Sequence, residues 1–297
     1  MSAPPIIIST VKPTGYSHVG AFDEVTETIA IGFARLGFAV QRADNFVSSE
    51  IPTILFGAHL LAEPILNRLP SNTILYNLEQ VDPGAPWIAG PYARAMRLHE
   101  VWDFNETNVR RLHTLQFARK LLWAPIGYVP ELTRIPPAAE DIDILFYGSL
   151  NERRARVLDD LRASGLNVVY KFDLYGKERD KLIARSKVVL NIHFYESGIF
   201  EWIRVLYLLA NKKAVVSESS VLTAFERGIE EVVRFAHYDE LEDVCRNMVA
   251  HQSLRDAFAS QMDSYLAARR EEMVLDSVVG SSSCISRPSG PLRKKGS

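Results

Sequence analysis

Short apolar runs and longer amphipathic stretches alternate along this chain in two successive series. Pro5–Thr10, Ala39–Ala43, Thr53–Phe56 and Thr73–Asn77 are brief and rich in branched and aromatic side chains, whereas Asp23–Leu36 and Ala58–Leu69 carry helical spacing. This alternation predicts a parallel sheet with helices on both faces. Val101–Phe104 (strand), Glu106–Leu115 (helix) and Lys120–Trp123 (strand) continue it. The stretch Ala124–Asp141 then breaks the pattern with Pro125, Pro130, Pro136 and Pro137, and reads as a linker. A second series follows: strand Ile142–Tyr147, helix Arg153–Ser164, strand Asn167–Phe172, helix Glu178–Ser186, strand Val188–Ile192, helix Ile199–Asn211, strand Ala214–Ser217 and strand Val232–Phe235. Helices over Tyr238–Ala250 and Ser253–Val274 close it. The expected division is a first domain over 1–124, a linker over 125–141, a second domain over 142–276 and, where Ser, Gly, Pro, Lys and Arg take over, a disordered tail over 277–297.

Composition narrows the function classes. With 297 residues and 47 % hydrophobic content there is ample material for two cores. The 34 basic and 36 acidic residues give a formal charge of −2, so nucleic acid is not an expected partner. No apolar run reaches membrane-spanning length and no leader pattern opens the chain, which makes a cytoplasmic protein the expectation. Cys245 and Cys284 lie far apart, and no disulfide is expected.

Candidate chemistry concentrates in Val188–Glu218, which reads as strand, polar loop, apolar helix and strand. Ligands of open parallel sheets sit outside the carboxyl ends of the strands. That edge carries Asn191, His193, Tyr195, Glu196 and Ser197 here, and the following helix begins with Glu201 and Arg204 among apolar neighbours. Two readings stay open for this last pair: mutual pairing one turn apart, or contact with a ligand at the helix N-terminus. Upstream, Phe146–Arg154 runs from strand to helix through Gly148 and Ser149, a design suited to a diphosphate, with Arg153 placed to neutralise it and Arg154 diverging by about a hundred degrees. Tyr175 and Arg179 follow the next strand and so lie along the same edge. In the first half, His18 in the loop Val11–Phe22 and Glu79 after Thr73–Asn77 are candidate catalytic groups. Asp141 and Asp143 stand at the start of their strand, at the edge opposite the ligands, and His193-x-x-Glu196 lacks a third ligand, so no metal is expected.

The runs LNIHFYESGIFEWIRVLYLLANKKAVVSE (Leu190–Glu218), DIDILFYGSLNERR (Asp141–Arg154) and YNLEQ (Tyr76–Gln80) resemble bacterial and viral GT-B glycosyltransferases of the family-one or family-four-like kind. The similarity extends in order over Pro5 to Leu275. It implies an α/β chain of two Rossmann-like domains whose parallel sheets face a cleft. It further implies transfer of a sugar, hexosyltransferase-like, from a nucleoside diphosphate sugar to an acceptor hydroxyl on a glycan, a lipid-linked molecule or a small molecule, with retention of configuration. No cofactor is implied beyond that co-substrate. The Glu-x7-Glu pattern of many members is absent, since His193 stands where the partner of Glu201 would be. The expected donor-binding set is Gly148, Ser149, Arg153, Tyr175, Arg179, Asn191, His193, Glu196, Glu201 and Arg204; the resemblance implies that a nucleotide base falls by Tyr175, which is suited to stack on it, and Arg179, which is suited to reach a base edge or phosphate. A sugar-nucleotide epimerase on the same fold and a non-catalytic sugar-nucleotide-binding subunit are the alternatives.

Overall fold

The computed structural model of the chain describes residues 3–82, 86–196, 198–219 and 228–288. It divides into two compact units, Met1–Val129 with Arg270–Ser297, and Pro130–Arg269.

In the first unit, β1 (Pro5–Thr10), β2 (Ala39–Asp44), β3 (Thr53–Phe56), β4 (Thr73–Asn77), β5 (Glu100–Asp103) and β6 (Lys120–Trp123) form a sheet in the order β2-β1-β3-β4-β5-β6. Every described pairing is parallel. The central strands are buried on both faces, which is why they read as continuous apolar runs; edge strand β2, with Gln41 and Arg42 exposed, does not. The helices are α1 (Asp23–Arg35), α2 (Glu63–Leu66), α3 (Pro91–Met96) and α4 (Glu106–Thr114). The Asn105 side chain starts α4 by accepting from the backbone N–H groups of Thr107 and Asn108 at 2.9 and 3.2 Å. The single helix expected over Ala58–Leu69 is instead a 3-10 turn at Ala58–Leu60 followed by the one-turn α2. Left-handed Gly57 turns the chain sharply out of β3, and Pro64 admits only a new helix start.

In the second unit, β7 (Ile142–Tyr147), α5 (Glu152–Ala163), β8 (Val168–Lys171), α6 (Gly176–Arg185), β9 (Ser186–Asn191), α7 (Trp202–Ala210), β10 (Ala214–Glu218) and β11 (Arg234–Ala236) build a parallel sheet in the order β11-β10-β9-β7-β8. Two further helices, α8 (Leu241–Ala250) and α9 (Gln252–Ala267), follow. Ile144, Phe146, Val188, Leu190 and Val216 share a core with Leu158 and Leu161 of α5 and Leu241, Cys245 and Met248 of α8. Much of the expected linker belongs to this unit. Asn211 of α7 accepts from the N–H groups of Arg134 and Ile135 and donates to the Leu132 carbonyl, so this proline-rich segment is fastened to the unit.

The helix expected over Ser253–Val274 is two helices. The chain leaves α9 at Ala268, and α10 (Glu271–Val279) packs on α1 in the first unit. Gly32 permits this approach: a Cβ there would lie 2.5 Å from Cγ of Glu271 and 2.7 Å from Cδ1 of Leu275. The expected domain end at 276 and the tail from 277 are corrected accordingly. Residues 277–279 complete α10, Ser283 donates through N–H and hydroxyl to Glu100 at 2.7 and 2.6 Å, and Ile285 is buried. Residues 289–297 of that tail lie outside the described residues.

Glu271 has no solvent exposure. One carboxyl oxygen accepts the Gly127 N–H and the other, Oε1, meets no partner among the described residues. Burial pushes its pKa up to about 8. The folded chain thus holds a proton that the unfolded chain releases near 4.5, and this stabilisation is complete below pH 4.5 and disappears as pH rises through 8. At about 1.4 kcal/mol per pH unit the full span amounts to roughly 5 kcal/mol. Thermal unfolding of wild type between pH 5 and 9 should show a loss of stability that Glu271→Gln, which keeps the shape without the charge, reduces by roughly half, because Asp103 is also held up to about 8 by burial and supplies a similar share. A parallel decline in both proteins would show that Glu271 is not the group responsible.

Candidate functional site

Strand order reverses between β7 and β9 in the second sheet, since β8 lies on one side and β10 and β11 on the other. The crevice outside their carboxyl ends is the expected place for a ligand. Several sequence-predicted residues meet there. Asn191, at the end of β9, donates to Glu201 Oε2 at 2.7 Å and to Ser217 Oγ at 3.0 Å, while its carbonyl oxygen accepts from Arg204 Nη1 at 3.4 Å. His193 is fully buried; its Nδ1 lies 3.1 Å from Glu201 Oε2 and its N–H donates to Glu218 Oε2 at 2.9 Å. Gly198 makes this possible, because a Cβ there would sit 2.6 Å from both Cβ and Cγ of His193.

Glu201 and Arg204 do not form an ion pair with each other among the described residues. Glu201 occupies the N-cap position of α7, and Arg154 Nη2 lies 3.7 Å from its Oε1. Burial raises the Glu201 carboxyl pKa, but His193, Arg204 and the Asn191 amide together hold it below the ordinary carboxylate value. Arg204 reaches over Gly148, whose φ of +140° suits glycine alone, so that a Cβ there would lie 3.1 Å from Nη2. Its guanidinium also stands 5.1 Å from the Tyr147 ring centre.

Arg153 and Arg154 converge on this edge despite their angular separation on α5. Arg153 forms a bidentate pair with Glu218, donates to the His193 carbonyl at 3.1 Å and lies 4.0 Å above the Tyr238 ring. Arg154 is buried, with Nη1 donating to the Ser149 carbonyl at 2.8 Å and Nη2 to that of Ile192. Burial, then the charge of Arg204, lowers its pKa to about 10. Three guanidinium groups (Arg153, Arg154, Arg204) therefore surround two carboxylates (Glu201, Glu218), three minus two leaving one positive charge in excess. Arg154 Nε and His193 Nε2 are buried without a hydrogen-bond partner among the described residues. Such orphans call for a polar ligand or water close by.

The other candidates lie further out. Ser149 is exposed beside Gly148, and Glu196 is exposed in the β9–α7 loop; Ser197 lies outside the described residues. Tyr175 caps α6. Arg179 is buried with Nη2 2.8 Å from Asp180 Oδ1 and its guanidinium 4.3 Å above Tyr207, whose hydroxyl donates to Asp180. Asp141 and Asp143 stand at the amino end of β7 and pair with Arg185 and Lys187.

In the first unit His18 lies in a 3-10 turn, Ser17–Phe22, with its ring edge-on to Tyr16 at 5.5 Å. Glu79 follows β4, and its carboxylate lies 3.3 Å from Nε2 of His59, a residue the sequence reading did not single out. Beneath Glu79 is a buried polar cluster: Asp103 accepts from Asn77 at 2.6 Å, from the Asn105 N–H at 2.8 Å and from Asn108 at 3.2 Å. Burial pushes Asp103 up to about 8 against the pull of these three donors. Among the described residues no helix is long and apolar enough to cross a membrane, and no group of three acidic, His or Cys side chains is placed to hold a metal ion.

No family model matches the chain. Three uncharacterised proteins of Acanthamoeba polyphaga mimivirus are 31–32 % identical to it over 104–113 residues. The matches cover 34–37 % of this chain and 12, 34 and 40 % of those relatives, less than half of each. Among solved structures, Anabaena HepE in complex with UDP and glucose superposes with a TM-score of 0.61 at 11 % identity, covering 93 % of this chain and 99 % of HepE. WaaG, a glycosyltransferase involved in lipopolysaccharide biosynthesis, gives 0.56 at 12 %, over 92 % of this chain and 98 % of WaaG. TarM gives 0.54 at 12 %, over 78 % of this chain but only 55 % of TarM. The chain has the GT-B fold. In GT-B terms, β7 to α9 is the second Rossmann-like unit, and the arginine-rich cluster lies at the carboxyl edge of its sheet.

Proposed function

We propose that this GT-B chain is a glycosyltransferase that takes the diphosphate of a nucleoside diphosphate sugar at the Gly148–Arg204 edge of its second unit. The observation that carries this reading is the excess positive charge beside a side-chain-free turn, at the point where strand order reverses. Departure of the diphosphate builds negative charge, and fixed guanidinium groups stabilise it without reorganising at the moment of reaction. Arg204 and the backbone at Gly148 and Ser149 meet the phosphates, Arg154 reinforces them from below, and Arg153 with Glu218 braces the loop from Ile192 to Phe194. Glu201 and Asn191 take sugar or ribose hydroxyls. The donor is bound without a metal ion, the reaction proceeds with retention, and an acceptor hydroxyl receives the sugar.

A thermal-shift screen against UDP, GDP, ADP and dTDP, with and without EDTA, tests the donor reading. A nucleotide at about a hundred times its dissociation constant should stabilise the chain by about 2.7 kcal/mol. The same shift is expected in chelator. A shift that vanishes with EDTA and returns with magnesium would overturn the metal-independent part, and no shift with any nucleotide would overturn the whole.

A further inference from the structure

The first sheet also has a reversal point, between β1 and β3, with β2 on one side and β4 to β6 on the other. Left-handed Gly57 carries the chain out of β3 and sets His59 two residues beyond it. There Nε2 of His59 faces Oε1 of Glu79 at 3.3 Å, and the ring stands edge-on to Tyr92 with centres 6.0 Å apart. Glu79 is held by more than its own side chain. Its carbonyl accepts from Asn77 and Asn108, both at 2.9 Å, and its N–H donates to Asn77 Oδ1 at 3.3 Å. The Tyr92 hydroxyl donates to that same Asn77 oxygen at 3.2 Å, and Asp103 anchors both asparagines from below. A half-exposed carboxylate is thus fixed by a fully buried polar scaffold, which costs stability in a sheet that an apolar core would otherwise serve.

We infer that His59 and Glu79 form a hydroxyl-binding subsite for a polyol, the acceptor of the proposed transfer. The carboxylate accepts a hydrogen bond from Nε2–H, which fixes the tautomer and leaves Nδ1 as an acceptor for an O–H donor. Among the described residues no group takes Nδ1. Burial lowers the His59 pKa against the opposing charge of Glu79, in keeping with a neutral ring. The name acceptor rests on the donor reading above; the subsite itself does not.

Imidazole-nitrogen NMR on the full chain, titrated with sorbitol and with methyl glucoside in the absence of nucleotide, separates the two. The His59 Nδ1 resonance should move saturably, while that of His251, exposed between α8 and α9, serves as internal control. In Glu79→Gln the half-saturating concentration should rise at least tenfold, with the melting temperature kept. A His59 resonance that ignores both polyols, or one that responds equally in Glu79→Gln, overturns the subsite. Neither outcome bears on the nucleotide screen.

Discussion

Gly198→Ala is expected to lower the melting temperature and to abolish saturable nucleotide binding together. The added methyl would lie 2.6 Å from two atoms of His193 and 2.9 Å from its Nδ1. His193 cannot yield, because it is fully buried and held by Glu201 through its ring and by Glu218 through its backbone. Overpacking of this kind costs about 1–3 kcal/mol, which in a chain of this size lowers the melting temperature by roughly 2–12 °C. Displacing the ring also frees Glu201 from the contact that keeps it ionised and oriented. Scanning calorimetry and a nucleotide titration read the two effects; an unchanged melting temperature would mean that the loop does not pack on His193 as described.

Arg204→Met carries the second large effect, which falls on binding rather than on stability. Arg204 accounts for the positive excess in the cluster, and its charge lowers the pKa of Arg154 beneath it. Its protein contacts are a 3.4 Å hydrogen bond to Asn191 and the face of Tyr147. Removing it relieves its repulsion of Arg154 but also takes away one of the charges that hold the Glu201 carboxyl below its ordinary value, so the melting temperature should stay close to that of wild type. A phosphate that had met this guanidinium loses a charge-assisted hydrogen bond of about 1.5–3 kcal/mol, roughly a ten- to hundredfold loss of affinity.

Both sheets were legible in the sequence because central strands of parallel sheets are apolar on both faces and cannot be mistaken for half-exposed ones. The position of the turn at Gly148 and of the polar residues after β9 was legible because the strand pattern puts both at the carboxyl edge of one parallel sheet. Pairing was not. Glu218 ends an apolar run and gives no sign that it would take Arg153 in a bidentate pair. Arg154 was set aside on helical geometry alone, yet a long side chain can turn back past its own helix, and here it reaches the carbonyls of Ser149 and Ile192. His59 was hidden inside a stretch that looked like one continuous helix; only the left-handed Gly57 and Pro64 break it. The return of α10 to the first unit left a trace in the glycine of α1, but nothing in the sequence connects Gly32 with Glu271 across more than two hundred residues.

The most direct measurement is a calorimetric titration of UDP into wild type and Arg204→Met, each with its melting temperature recorded. Binding at the Gly148–Arg204 edge requires saturable 1:1 binding by wild type, and an affinity at least tenfold weaker in a variant that melts close to wild type. Equal affinities in two equally stable proteins would contradict it and move the diphosphate away from this edge.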